Sequence, residues 1–279
     1  MIPDRVLDHL RTVMDELDLT GTRYEAGPLI GKGGMGSVYR VRDFMLDRNV
    51  ALKVIGPVGD GFEEARTLAR LEHPGIVPLY DAGTLADGRG YCVMRLVDGE
   101  PLRRFDGLAE CLAVAAKICE AVGFAHSQGV IHRDLKPENI LTGQFGQVMV
   151  LDWGIALWSG ARGSRAGTRR YMAPEAEVDA RTDIFSLGVL LEEILPLGAP
   201  RPLLAIAAKA RADDPVARYQ EVGELAQDLR RFQDQMAVSA YEEKLWERGL
   251  RFVSRNRVLL LLLVSYLLVR ILLFFFRPG

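Results

Sequence analysis

With 279 residues and 49 % hydrophobic side chains, the chain carries enough apolar material for a large core divided between two lobes. Its 35 basic residues are offset by 37 acidic ones, and a net charge of −2 removes the electrostatic case for a nucleic-acid partner. The three cysteines, Cys92, Cys111 and Cys119, have no C-x-x-C spacing, which argues against a disulfide or metal framework and for apolar packing in a reducing compartment.

Residues 1–22 place Val6, Leu10, Val13, Met14 and Leu17 at helical spacing, with Asp4, Arg5, Asp8, Arg11 and Asp15 mostly opposite. The pattern predicts an amphipathic helix ending near Thr20-Gly21, most simply one that covers the core of its own domain. No basic stretch followed by an apolar one stands at the N-terminus, so no cleaved leader is expected. The run Gly31-Lys32-Gly33-Gly34-Met35-Gly36 then lies between strand-like Pro28–Ile30 and Tyr39–Val41. A dinucleotide-binding loop of this spacing would lead into a helix. Here β-formers follow, which predicts a hairpin whose backbone N–H groups approach phosphates, with Gly31, Gly33 and Gly36 leaving room.

Val50-Ala51-Leu52-Lys53 is an apolar strand ending in a lysine, and Phe62–Leu71 is a helix with Ala65, Leu68 and Leu71 as its apolar stripe. Ile76–Tyr80 and Tyr91–Met94 predict two strands, joined through the Asp87-Gly88 turn signal. Leu108–Ser127 predicts a long buried helix, with Gly123 weakening it locally while permitting close packing. It delivers the chain to His132-Arg133-Asp134-Leu135-Lys136-Pro137-Glu138-Asn139, six of whose eight residues are polar or charged. Phosphoryl transfer needs such a set. Asp134 can orient a hydroxyl, Lys136 can neutralise charge on the moving group, and Asn139 can bind a metal ion.

In this order, the glycine loop, the strand-end lysine and the His132–Asn139 loop resemble a protein kinase, of the bacterial eukaryotic-like (Hanks-type) Ser/Thr kind. Asp152-Trp153-Gly154, after the apolar strand Val148–Leu151, and Ala173-Pro174-Glu175 are similar to two further motifs of that family. The resemblance covers residues 23–233. It implies a two-lobed α+β fold: a small antiparallel sheet with one helix (23–97), and a larger, mainly helical lobe (98–233). It also implies ATP and Mg²⁺ as cofactors, and protein serine or threonine side chains as substrates. A second copy of the chain would serve as partner for autophosphorylation.

Residue by residue, the resemblance makes Lys53 the holder of the α- and β-phosphates and Glu64, rather than Glu63, its carboxylate partner. Ile30, Val38, Ala51 and Leu141 would enclose adenine, with Met94 guarding the deep pocket and Arg95–Val97 as the hinge. Asp152 and Asn139 would hold Mg²⁺, and Thr168 would bridge Asp134 and Lys136. Trp153 stands where the family has phenylalanine and would fill a slot behind Glu64, near Leu68, Leu79 and His132. Asp183 would hold the catalytic-loop backbone, and Glu175 would pair with Arg218. In the activation segment, 155–170, a phosphate on Ser159 or Ser164 would answer the Arg133 cation. Lys136 and Thr168 together match serine/threonine kinases, whereas tyrosine kinases differ at both places.

Two departures qualify that reading. The connection from Leu195 to Ala205 is far shorter than in the family, so the C-lobe is truncated and protein-substrate docking is put in doubt. Residues 234–257 are charged and mixed, as in a linker, while 258–276 are apolar apart from Ser265, Tyr266 and Arg270 and predict a membrane span. Lys244, Arg248, Arg251, Arg255 and Arg257 precede that span and only Arg277 follows, so the kinase-like domain is expected on the cytoplasmic side of the cell membrane, with no external sensor beyond. The expected function is membrane-tethered protein Ser/Thr phosphorylation. The alternative is a membrane-tethered, nucleotide-binding pseudokinase acting as a scaffold. A small-molecule phosphotransferase is disfavoured by Lys136-Pro137 and Ala173-Pro174-Glu175.

Overall fold

The computed structural model describes residues 17–33, 36–57, 62–158 and 167–275. The N-terminal lobe is an antiparallel sheet of β1 (Tyr24–Glu25), β2 (Leu29–Gly33), β3 (Gly36–Asp43), β4 (Arg48–Pro57), β5 (Leu79–Thr84) and β6 (Arg89–Arg95). The order is β1-β3-β4-β6-β5, with β2 also pairing β3. Strand alternation divides the side chains between two cores. Val50, Leu52 and Val54 join Leu19, Tyr24, Tyr39, Val41, Tyr91 and Val93 on one face. Ala51, Cys92 and Met94 point the other way, into the core shared with the C-terminal lobe.

Helix α1 (Glu63–Leu68) packs through Ala65 and Leu68, with Leu71 just beyond it also buried. Between α1 and β5 the chain differs from expectation. Ile76 bridges Val150 in parallel, the Val77 N–H donates to Val150 O, and the Val150 N–H donates to Gly75 O. The apolar run that predicts a strand within the sheet is therefore bonded to the other lobe, and the sheet strand begins at Leu79. Its hairpin with β6 turns through Leu85–Gly88.

In the C-terminal lobe β7 (Gly99–Pro101), β9 (Ile140–Gly143) and β10 (Val148–Val150) form a three-stranded sheet, and β8 (Val130–Ile131) pairs β11 (Leu157–Trp158). Four helices make its bulk: α2 (Leu108–Ser127), α3 (Ala180–Ile194), α4 (Arg201–Ala210) and α5 (Val222–Gln233). Helix α2 buries Cys111, Leu112, Ala115, Ile118, Cys119 and Val122. Burial pushes the thiols of Cys92 and Cys119 up to about 12 and that of Cys111 to about 11, so all three are neutral core groups. Asp179 caps α3, accepting the Arg181 N–H, while Thr182 accepts the Asp179 N–H in return. Helix α4 starts at Arg201, inside the short connection between Leu195 and Ala205, because Pro200 and Pro202 fit a helix start.

The two ends of the chain depart from the sequence reading. Residues 17–20 are not helical; a turn closed by the Thr22 N–H on Leu19 O leads into β1, and the rest of the expected N-terminal helix lies outside the described residues. Within residues 234–257, expected as a linker, the stretch 238–240 is bonded to the C-lobe and a helix follows it. Val238 is buried, Ser239 and Ala240 donate to Asp228, and α6 (Leu245–Arg255) follows. The predicted membrane span coincides with α7 (Arg257–Phe275). Among the described residues, however, no helix is long and apolar enough to cross a membrane. Phe276 and the side chains of residues 273–275 lie outside what is described.

Candidate active site

The cleft between the lobes gathers residues from elements far apart in sequence. Strand β4 delivers Lys53, whose Nζ donates to Glu64 Oε1 and Oε2 at 2.9 and 2.7 Å and to Asp152 Oδ1 at 2.6 Å. Glu63, one position earlier, pairs among the described residues only with Arg66 on the surface. The partner is therefore Glu64, which lies beside the apolar stripe of α1 and is drawn into the core with it. Burial alone would lower the Lys53 pKa, but the carboxylates of Glu64 and Asp152 outweigh it and hold the ammonium above its usual range. Burial pushes the Glu64 carboxyl up, against the pull of Lys53.

On the C-lobe side, Asp134 Oδ1 accepts the Thr168 N–H at 2.8 Å and the Thr168 hydroxyl at 2.9 Å. Lys136 Nζ donates to Asp134 Oδ2 and, at 3.1 Å, to Thr168 Oγ1. Burial would raise the Asp134 carboxyl, yet the Lys136 and Thr168 donors overcome it and hold the group below its ordinary value. Asn139 turns its Nδ2 to Asp134 O at 2.8 Å and to Asp134 Oδ2 at 3.2 Å. That fixes the carboxamide flip and leaves Oδ1 as the acceptor available to a cation.

The loop is held from below. Asp183, fully buried on α3, accepts the backbone N–H groups of His132 and Arg133, both at 2.8 Å. It also bonds His126 Nε2 at 2.8 Å. These donors keep its carboxyl ionised below the ordinary range, with the His126 bond the largest effect opposing burial. His132 Nε2 reaches Leu151 O at 2.9 Å, and its ring lies 4.5 Å from that of Trp153. Trp153 is buried as expected, but its Nε1 has no hydrogen-bond partner among the described residues. Asp152, at φ 58°, and Arg133, at φ 73°, are the two site residues held in the left-handed region, which Asp47, Phe145 and Gln235 also adopt elsewhere.

Sequence reasoning passed over two participants. His126 sits near the end of α2 and looks like a surface residue until α3 brings Asp183 against it. Gly167 has φ +114°, and a Cβ there would stand 2.4 Å from Arg133 O, so only glycine lets Thr168 reach Asp134. The glycine loop is more selective than its spacing implies. Gly36, at φ +131°, would place a Cβ 2.0 Å from Val54 O, whereas nothing lies within 4 Å of a Cβ at Gly33. Gly31 would meet only Val38 Cβ, at 3.8 Å.

Of the residues assigned to adenine, Ala51 and Met94 are buried cross-strand partners, and Val38 and Val97 pack against the same core. Leu141 lies on β9 between Pro101 and Met149, and Ile30 is half-exposed on β2. For a divalent cation, the Asp152 carboxylate is partly exposed and its described bonds engage only Oδ1, with Lys53. Together with Asn139 Oδ1 it forms the sparse oxygen set that suits Mg²⁺, which retains waters and takes substrate phosphates as further ligands. Ser159 and Ser164 lie outside the described residues.

A β-rich lobe carrying a Lys–Glu pair, set on a helical lobe carrying an Asp–Lys–Asn loop, defines the protein-kinase class of phosphotransferase folds. The protein kinase domain family model matches residues 24–240, and the chain belongs to that family. The match extends to Ala240, where the pinned C-terminal segment is still bonded to Asp228.

Curated relatives are serine/threonine-protein kinases. The chain is 34 % identical over 293 residues to PknD of Chlamydia muridarum, covering 75 % of this chain and 31 % of that protein. It is 34 % identical over 275 residues to PknB of Mycolicibacterium smegmatis, covering 78 % and 44 % respectively. With a probable serine/threonine-protein kinase of Streptomyces coelicolor it shares 34 % identity, covering 81 % and 42 %. The chain thus spans less than half the length of these relatives.

Proposed function

We propose that this chain transfers the γ-phosphoryl group of ATP to serine or threonine hydroxyls of proteins, including a second copy of itself. The observation that carries the reading is the closed set Asp134–Lys136–Thr168, joined to the Lys53–Glu64–Asp152 set where Asn139, bonded to Asp134, accepts the Leu151 N–H beside Asp152. Asp134, kept ionised by Lys136 and Thr168, would accept the hydroxyl proton and aim the oxygen at the γ-phosphorus. Lys136 stands where charge grows on the transferred group. Lys53, positioned by Glu64, would hold the α- and β-phosphates. Backbone N–H groups of the Gly31–Gly36 hairpin would close over the phosphates, while Ile30, Val38, Ala51, Met94, Val97 and Leu141 would enclose the base. Asp152 and Asn139 would hold Mg²⁺, which when bound neutralises phosphate charge and orients the β- and γ-oxygens.

The choice of Ser/Thr over Tyr is supported by Lys136 with Thr168, and by the names of the relatives. Membrane attachment is part of the same proposal. Its support is the apolar run 258–276, the exposure of Leu261, Leu262, Leu263, Leu267, Leu268 and Ile271 on α7, and the basic residues before it, which favour a cytoplasmic kinase domain.

The test is transfer of labelled phosphate from ATP with Mg²⁺ to a general protein substrate and to the chain itself, for wild type and Asp134→Asn. Transfer by the wild type should fall by roughly 10²–10⁴ in the variant, with nucleotide affinity retained. Nucleotide binding with no transfer by the wild type, at concentrations that allow pairing, would replace this reading with the membrane-tethered pseudokinase scaffold.

A further inference from the structure

Helix α6 (Leu245–Arg255) divides cleanly into two faces. At about 100° per residue, Leu245, Trp246, Phe252 and Val253 fall on one side, and Glu247, Arg248 and Arg251 on the other. Such segregation normally covers a core. Here it covers nothing among the described residues, since Leu245 is 85 % exposed, Trp246 59 %, Phe252 62 % and Val253 52 %. The polar face is not idle. Arg251 donates to Glu243 at 2.6 and 3.1 Å, the Tyr241 hydroxyl donates to Glu247 at 3.0 Å, and Glu247 accepts the Lys244 N–H at 2.8 Å. The segment just before it is nailed to the C-lobe. Asp228 accepts the Ser239 N–H at 2.9 Å, the Ser239 hydroxyl at 2.7 Å and the Ala240 N–H at 3.2 Å. The segment 241–244, which follows directly on residues pinned to the C-lobe, thus holds α6 by its polar side and leaves its apolar side outward.

We infer that α6 is an interfacial helix, lying along the surface of an anionic bilayer with Trp246 and Phe252 at headgroup depth. Three observations select a lipid surface as the occupant. An aromatic and aliphatic face opposed to an arginine face is the composition of helices that lie in the membrane interface. Arg248 and Arg257 are exposed and make no ion pair among the described residues, so this end of the chain is basic although the chain as a whole carries −2. Finally, α6 is continuous with the apolar α7, and Asn256, at φ −107° and ψ 20°, breaks the helical backbone between them so that the two need not be collinear. Because Asp228, Tyr241 and Glu247 couple α6 to the C-lobe, the bilayer would set the orientation of the active cleft. A loosely tethered domain would have no such fixed orientation. The inference rests on the membrane attachment proposed above for the placement of α7, but not for the affinity of α6 itself.

The full-length chain, labelled with an environment-sensitive fluorophore at Trp246→Cys, Phe252→Cys or Arg248→Cys, tests it, since the three native cysteines are buried. In phosphatidylcholine vesicles containing phosphatidylglycerol, labels at 246 and 252 should blue-shift and be quenched by headgroup-level nitroxide lipids several-fold more than the label at 248. Equal, water-like signals at all three positions in a chain that resists carbonate extraction would overturn the inference while leaving the attachment intact. So would blue shifts that appear on concentration without lipid, which would make a second copy the occupant.

A full-length variant with Leu263→Glu, Leu267→Lys and Ile271→Glu removes the apolar character of α7. It should still float with anionic vesicles roughly tenfold better than with neutral ones, and lose that preference when Trp246→Glu and Phe252→Glu are added. If the unaltered chain is extracted by carbonate but the α7 variant floats, the attachment fails and the interfacial helix stands. If the α7 variant does not float, the interfacial helix fails.

Discussion

Arg218 grips Glu175 through two parallel hydrogen bonds of 2.7 Å each, spanning 43 residues of sequence. The guanidinium is fully buried and its remaining donors go to Ala212 O, Arg181 O and Asp213 O. These donors reach three segments, so one side chain ties the end of the activation segment to α3 and to the turn after α4. Removing it strands a carboxylate and three carbonyls. Arg218→Ala is expected to cost about 3–5 kcal/mol of stability, read as a lower urea midpoint. Lysine cannot form the fork, so Arg218→Lys should recover less than half of that loss.

Asp228 provides a pH-dependent stability component. Burial would raise its carboxyl, but the Ser239 backbone and hydroxyl donors, with Tyr219 and Ala240, hold it below its ordinary 3.8. A depressed carboxylate contributes stability above its unfolded pKa and loses it as pH falls through the folded one. Wild-type stability should therefore drop as pH falls below 3.8, and Asp228→Asn should show a shallower acid limb with lower stability at neutral pH. Limited proteolysis checks the structural cause: the variant should be cut after α5, at 236–244, faster than wild type.

The glycine hairpin separates two kinds of glycine. Gly36→Ala must adopt φ +131° and displace Val54 O, at a cost of about 1–3 kcal/mol, and should raise KM for ATP by shifting the hairpin. Gly33→Ala meets no atom within 4 Å of the new Cβ. It should leave the melting temperature unchanged, so any rise in its KM for ATP would report contact with the nucleotide itself. Melting curves and ATP titrations on both variants make the comparison.

Trp153 is the largest fully buried side chain among the described residues, and its indole N–H has no partner among them. Such a group costs about 1–3 kcal/mol. Trp153→Phe deletes it but opens a cavity of comparable cost, so thermal stability should move by less than about 1 kcal/mol. Trp153→Leu removes the ring packed on His132 as well, and should destabilise by about 2–4 kcal/mol. A loss of that size for the phenylalanine variant would mean that the indole N–H is bonded after all.

The sequence readings that hold are those whose cause is local. The twenty residues of α2 have one continuous apolar pattern and end where Gly129 enforces a turn, so its limits match the prediction. Glu64 is distinguishable from Glu63 because burial of Ala65 and Leu68 dictates which flank of α1 faces Lys53. The strand in 76–80 is misplaced for the opposite reason. Ile76 and Val77 are as β-prone as Leu79, and only the approach of Val150 from the other lobe takes their hydrogen bonds. The same holds for Asp228, which in sequence is one acid on an amphipathic helix and in the fold is the anchor of the segment that follows.

By itself the sequence determined the kind of chemistry, because the identities of Lys53, Asp134, Lys136, Asn139 and Asp152 and their order along the chain admit few other uses. The tertiary structure decided which groups those residues meet: His126 under Asp183, Gly167 beside Arg133, and a pinned C-terminal segment where a linker was expected. Residue type and periodicity encode what a side chain can do and which face of an element is buried. Hydrogen bonds between residues fifty positions apart depend on how those elements pack, and no local pattern contains that.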